Sequence, residues 1–215
     1  MRTLNRVLTN EDRELYSLTI KNMFGFCPEM MSRKISEANV QQAFVFEAVR
    51  GAMLKSGGVK VPLLCVGSFE DTACASLKAS GIPIFEIDPD VNGLDLHKFF
   101  VGTDDKFDII FSTSVIEHVK DDEQFISEIC QLLLPGGQAI LTMDFKEGYK
   151  TGDPLPYSDV RFYTNYDLKT RLPSVLGRYG CQVAGEQDYS DIDSFVYQGH
   201  VYSFATFAFR KTENV

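Results

Sequence analysis

The chain alternates between short apolar runs and longer stretches with one apolar side. Val61-Pro-Leu-Leu-Cys-Val66 is a continuous apolar run, which suits a strand buried on both faces. Ile82-Pro-Ile-Phe-Glu-Ile87 is a second strand that begins near Pro83. Ile109 to Ser112 and Ala139 to Asp144 read as two more, with an amphipathic helix from Asp121 to Leu134 between them. A helix from about Asp71 to Ala79 follows the first strand. Only six residues separate Asp88 from Asp95, so no ordinary helix fits there, and Leu94-Asp95-Leu96 is expected to form a short third strand.

Residues 1–57 read as helical with breaks. Thr9-Asn10-Glu11-Asp12 is a helix start, Gly25 to Pro28 a break, and Ser36 a cap for a helix whose apolar side holds Val40, Phe44, Ala48 and Val49. Residues 146–165 are loop-like. Thr164-Asn165-Tyr166-Asp167 starts a helix that Gly180 ends, and Cys181 to Ala184 with Val201 to Arg210 give the final antiparallel strands. No repeat or linker divides the chain. The expectation is one α/β domain, 1–215, in which a helical segment (1–57) precedes a Rossmann-like core (58–215) with a mostly parallel sheet.

Charge and cysteines narrow the class. The net charge of −9 argues against a nucleic-acid or anionic-membrane surface, which relies on clustered Lys and Arg. No apolar run approaches the ~20 residues of a membrane span, and the opening Met1-Arg-Thr-Leu-Asn-Arg lacks the apolar segment of a secretory signal. The five cysteines are widely spaced, with no Cys-x-x-Cys pair, so no zinc framework is visible and no metal is expected. Reduced thiols fit a cytoplasmic protein.

The chemistry concentrates between Lys106 and Phe145. Phe107-Asp-Ile-Ile-Phe-Ser-Thr-Ser-Val-Ile-Glu-His-Val119 is a strand ending in small polar residues, then Glu117 and His118. Leu132-Leu-Leu-Pro-Gly-Gly-Gln-Ala-Ile-Leu-Thr142 launches the next strand. Ligands of open α/β sheets sit at the carboxyl ends of strands, where Ser112 to His118 lies. This pairing of Glu-His-Val with Pro-Gly-Gly resembles the class I S-adenosylmethionine (SAM)-dependent methyltransferases, in particular their Glu-His-Val-bearing small-molecule group. The resemblance covers roughly residues 59 to 145. It implies a Rossmann-like fold, SAM as cofactor and a methyl acceptor.

The resemblance also places residues. Gly67 stands in the first strand-to-helix turn, but Cys65 replaces the usual acid, and Phe69 and Asp71 stand where further glycines are usual. Glu70 or Asp71 either supplies a carboxylate or favours the helix N-terminus. Asp88, ending the second strand, matches the acid that binds the ribose hydroxyls; Glu86 competes with it. Asp95 matches the acid that meets the adenine amino group, or caps a turn. Ser112, Thr113, Ser114 and Glu117 are expected to line the cofactor floor. A dinucleotide is disfavoured, because Phe69 and Asp71 would crowd and repel a pyrophosphate.

Methyl transfer to a hydroxyl benefits from a base, and His118, with an ordinary pKa of ~6.5, is the candidate. Its other reading is a cap or an architectural residue. The aromatic segment with Tyr149, Tyr157, Arg161 and Tyr163 is the candidate acceptor wall, Arg161 suiting an anionic or hydroxyl-rich group. In the competing reading Arg161 pairs with Asp159 or Asp167. The expected acceptor is a small molecule or glycan, methylated at oxygen; the pattern leaves the oligomeric state open. The rival, motivated by the eroded glycine turn, is a noncatalytic methyltransferase-like scaffold.

Overall fold

The computed structural model describes residues 3–58, 61–190 and 195–213. Met1 and Arg2, read above for a secretory segment, lie outside that range, as do Val59 and Lys60 of the motif region. Nine strands join one sheet among the described residues: β1 (Asn5–Leu8), β2 (Leu63–Val66), β3 (Phe85–Ile87), β4 (Phe107–Thr113), β5 (Leu133–Phe145), β6 (Cys181–Val183), β7 (Gln187–Asp188), β8 (Phe195–Tyr197) and β9 (His200–Lys211). The main path runs β3-β2-β4-β5-β9-β1-β7; β6 and β8 also pair with β9. β3, β2, β4 and β5 are mutually parallel, and β9 is antiparallel to β5.

Strand alternation feeds two cores. Leu64, Val66, Ile110, Leu141, Met143 and Phe207 point to one, shared with α7 (Leu96–Gly102), α8 (Asp122–Leu132) and α9 (Leu172–Arg178). Leu63, Cys65, Ile109, Phe111 and Ile140 point to the other, beneath α2 (Ser17–Phe26), α3 (Pro28–Arg33), α4 (Asn39–Lys55) and α5 (Thr72–Ala79). This two-faced burial explains the unbroken apolar runs of β2 and of Ile109–Phe111 in β4. Gly137 of the Pro-Gly-Gly launch must be glycine: a Cβ there would lie 2.8 Å from Leu134 O and 3.0 Å from Phe107 O.

Two expectations give way. The strand expected over 94–96 is absent. Instead Asp88 caps a one-turn helix, α6 (Pro89–Asn92), Gly93 ends it at φ +77°, and Asp95 caps α7. Two local caps outweigh the weak strand propensity of Leu-Asp-Leu, so β3 is the edge of the sheet. Nor is the N-terminal segment helical throughout. Before α1 (Asn10–Leu15) it holds β1, antiparallel to β9. The Asn5 amide donates to Ala184 O at 2.9 Å and its Oδ1 accepts from Ala208 N at 2.6 Å. Thr206 Oγ1 donates to Leu4 O at 2.7 Å. These partners are some 180 to 200 residues away, which no local pattern reports.

Candidate active site

A cavity of about 900 Å³ opens at the carboxyl ends of β2, β3, β4 and β5, within the ordinary range for ligand pockets. Its floor at one end is the turn after β2. Gly67 takes φ +79° and its N–H donates to Ile87 O at 2.8 Å. A Cβ on Gly67 would overlap Val115 Cγ2, so only glycine lets the turn meet the crest after β4. Phe69 N donates to Asp88 Oδ2 at 2.9 Å, and Asp90 N to Asp88 Oδ1 at 2.8 Å. Each carboxylate oxygen keeps a second lone pair, and Asp88 lines the cavity. Glu86, its competitor, does not line it and pairs with Lys78 instead.

The missing later glycines leave a visible mark. Glu70 is forced to φ +52°, a left-handed conformation that costs about 1–2 kcal/mol for a residue with a Cβ, and its carboxylate is met by Arg33 Nε at 2.9 Å. Asp71 is the N-cap of α5: its Oδ1 accepts from Cys74 N at 2.7 Å. Burial pushes its carboxyl up, with opposing hydrogen bonds. The Asp71 and Thr113 side chains are buried beside one another, and both residues line the cavity.

The other expected floor residues divide. Ser114 lines the cavity at φ +51°, its Oγ donating to Gln41 Oε1 at 2.8 Å, where Thr142 Oγ1 also donates at 2.8 Å. Ser112 instead turns into the sheet and donates to Val66 O at 2.8 Å. Asp95 sits on the rim, but both its oxygens meet Lys98, at 2.8 Å from the backbone N and 3.3 Å from Nζ. That is the capping arrangement.

At the opposite end three carboxylates cluster. Glu117 lies in the turn after β4, Asp144 at the end of β5 and Asp159 in the following loop; all three are buried and line the cavity. His118 Nδ1 lies 3.0 Å from Asp159 Oδ1 and 3.3 Å from Ser158 O. These are two acceptors, so Nδ1 carries the proton. The bond to Asp159 raises the His118 pKa against its own burial. Burial pushes Glu117 up to about 7, His118 opposing. Burial also raises Asp144 well above the carboxylate range, with Glu117 and Asp159 adding to it.

The expected acceptor wall is largely elsewhere. Tyr163 is fully buried and its hydroxyl donates to Asp122 Oδ2 at 3.0 Å. Arg161 pairs with Asp122 Oδ1 at 2.7 Å and donates to Val119 O at 2.9 Å. Tyr149 packs edge-on against Phe162. None of these three lines the cavity, because the loop returns to the sheet at a parallel bridge between Phe145 and Tyr163. Tyr157 lines it, 87% exposed. Asp159, which belongs to the expected wall segment, lines it as well, and so do residues that the sequence reading passed over: Asp144, Tyr202 and Phe204, with Gln41 and Gln42 from α4. One signal was present, since two adjacent glutamines interrupt the apolar side of α4.

A methyltransferase-domain family model matches residues 94–141. Solved structures agree in fold. A putative sarcosine dimethylglycine methyltransferase from Galdieria sulphuraria is similar at TM-score 0.51 and 14% identity, covering 82% of this chain and 89% of that one. The magnesium protoporphyrin IX methyltransferase of Synechocystis, with S-adenosylhomocysteine bound, is similar at TM-score 0.52 and 11% identity, covering 92% and 98%. A SAM-dependent methyltransferase from Methanosarcina mazei has TM-score 0.51 and 12% identity, covering 75% and 97%. Residues 94–141 thus match a methyltransferase domain, and the whole fold is like that of these SAM-dependent methyltransferases. S-adenosylhomocysteine, bound in the Synechocystis enzyme, is the demethylated form of the methyl donor SAM. The cavity fits that donor: Gly67 gives close backbone approach and Asp88 presents a carboxylate to it. No helix among the described residues is long and apolar enough to cross a membrane.

Arg161→Ala removes an ion pair from half-buried surroundings while Arg171 still holds Asp122. A loss of about 1–3 kcal/mol is expected, read as a lower melting temperature, with S-adenosylhomocysteine affinity unchanged. An unaltered melting temperature would return Arg161 to the acceptor.

Proposed function

We propose that the enzyme transfers the methyl group of SAM to an oxygen of a small-molecule or glycan acceptor. The observation that carries this reading is the His118–Asp159 pair at the cavity wall. With Nδ1–H directed at Asp159, the Nε2 lone pair of neutral His118 is left to accept a hydroxyl proton. SAM supplies an electrophilic methyl on a sulfonium, whose leaving group is a neutral thioether. The acceptor oxygen forms the new C–O bond, the C–S bond breaks with its pair staying on sulfur, and the hydroxyl proton passes to His118.

Binding roles follow the same geometry. Gly67 and the turn after it are assigned to close backbone contact with the cofactor. The remaining lone pairs of Asp88 suit the two ribose hydroxyls. Thr113, Ser114 and Glu117 line the floor, and Tyr157 the acceptor side. Asp95 and Ser112 are assigned to capping and to the sheet. The five cysteines are unpaired, which supports a reducing, cytoplasmic setting.

Asp88→Ala is expected to weaken S-adenosylhomocysteine binding at least ten-fold, since each charge-assisted hydrogen bond contributes roughly 1.5–3 kcal/mol. Glu86→Ala, whose carboxylate serves Lys78, should leave it within two-fold. Equal affinities for the wild type and the Asp88 variant in calorimetry would move the ribose role to another acid.

The base role has its own readout. The His118 ring should titrate in NMR above the ordinary 6.5, because Asp159 stabilises the protonated form. Its base form therefore fills only as pH rises through that raised pKa, and Asp159→Asn should lower the midpoint. In methyl transfer from labelled SAM to a panel of alcohols, His118→Gln should lower turnover about 100-fold or more. Wild-type turnover in that variant would reduce His118 to an architectural residue.

A further inference from the structure

The acceptor end of the cavity is built for a positive charge. Glu117 and Asp144 are 1% and 5% exposed, and the Asp159 side chain 4%. Burying one carboxylate without a cation is costly, and burying three side by side more so. The cation set against them is His118, and Asp159 already engages it. Arg161, one chain position beyond Val160, is turned away to Asp122.

Two oxygens in this wall lack any hydrogen-bond partner. Glu117 Oε2 and Asp159 Oδ2 are buried and unsatisfied, on residues that line the cavity. Burial favours the neutral carboxyls of Glu117 and Asp144, and Asp144 shares a hydrogen bond with Asp159; a cationic donor placed among them would favour the ionised forms, whose oxygens only accept. Among the described residues no three His, Cys, Asp or Glu side chains converge as metal ligands; the donor wanted here is an N–H group.

Aromatic rings complete the wall. Phe204 stands opposite Asp144 in the β5–β9 register, and the Tyr202 hydroxyl hydrogen-bonds the Asp144 carboxylate. Phe195 packs on both, tilted against Tyr202 with ring centroids 4.5 Å apart and stacked on Phe204 at 4.4 Å. Carboxylates and ring faces together are the chemistry that binds an ammonium group, through charge-assisted hydrogen bonds and cation–π attraction.

We propose that the acceptor carries a protonated amine, held by Glu117, Asp144 and Asp159 against Tyr202 and Phe204, beside the hydroxyl that His118 deprotonates. This rests on the methyl-transfer reading above and specifies its substrate class as an amino alcohol or amino sugar. It reverses the expectation drawn from Arg161, which favoured an anionic or merely hydroxyl-rich acceptor.

The test uses protein saturated with S-adenosylhomocysteine. Glucosamine, serinol and tyramine are titrated calorimetrically, each against its N-acetyl form, which keeps the hydroxyls and removes the charge. At least one amine should bind ten-fold or more tightly than its acetylated partner. Asp144→Asn should erase that preference and Phe204→Leu reduce it, with melting temperature and S-adenosylhomocysteine affinity showing that the fold and cofactor seat survive. No amine binding better than its N-acetyl form, or a preference untouched in both variants, overturns the proposal. Failure of folded wild type to bind S-adenosylhomocysteine would instead strike the methyl-transfer reading. Methylation of neutral acceptors alone would keep that reading and reject the amine.

Discussion

The cofactor end depends on one close approach: the turn after β2 pressed against the crest after β4. Gly67 has no Cβ because Val115 occupies that space. Its N–H is bound to the end of β3, and two residues on Phe69 N is bound to Asp88. Three parallel strand ends are thereby locked together, and the cavity opens over the lock. A turn held from both sides tolerates a non-glycine residue in a left-handed conformation at Glu70, with Arg33 opposite its charge. The family's other glycines are therefore dispensable here, because tertiary contacts impose the backbone path they would otherwise allow.

The acceptor end is organised by the opposite constraint, an excess of buried negative charge. Glu117, Asp144 and Asp159 come from the turn after β4, the end of β5 and the loop after β5, and they converge because that loop folds back over the crest, Val160 N donating to Glu117 O at 2.9 Å. The same fold-back sends Arg161 to Asp122 and Tyr163 into the core. One local path thus empties the wall of its arginine and fills it with acids. The raised carboxyls of Glu117 and Asp144 record what that burial costs.

Local signals in the sequence reported the central strands, α5 and α8, because apolar runs and N-cap aspartates act over a few residues. Asp71 and Asp121 cap those helices where the pattern placed their starts. The motif around Glu117 and His118 located the crest. What the pattern missed depends on distance. β1 is four residues held by β9, and the 94–96 strand yielded to caps at Asp88 and Asp95. Asp144 looked like the last residue of a strand, and Asp159 like a partner for Arg161. Their convergence required the loop's path, which no spacing encodes.

The central claim is that this turn still seats the methyl donor although only Gly67 of the usual glycines remains. Calorimetric titration of wild type and Gly67→Ala with S-adenosylhomocysteine tests it most directly. The account predicts one ligand bound per wild-type chain and at least a ten-fold weaker affinity in the variant, whose new methyl must displace Val115. A folded wild-type protein that binds no S-adenosylhomocysteine, or a Gly67→Ala variant that binds it equally well, would contradict it.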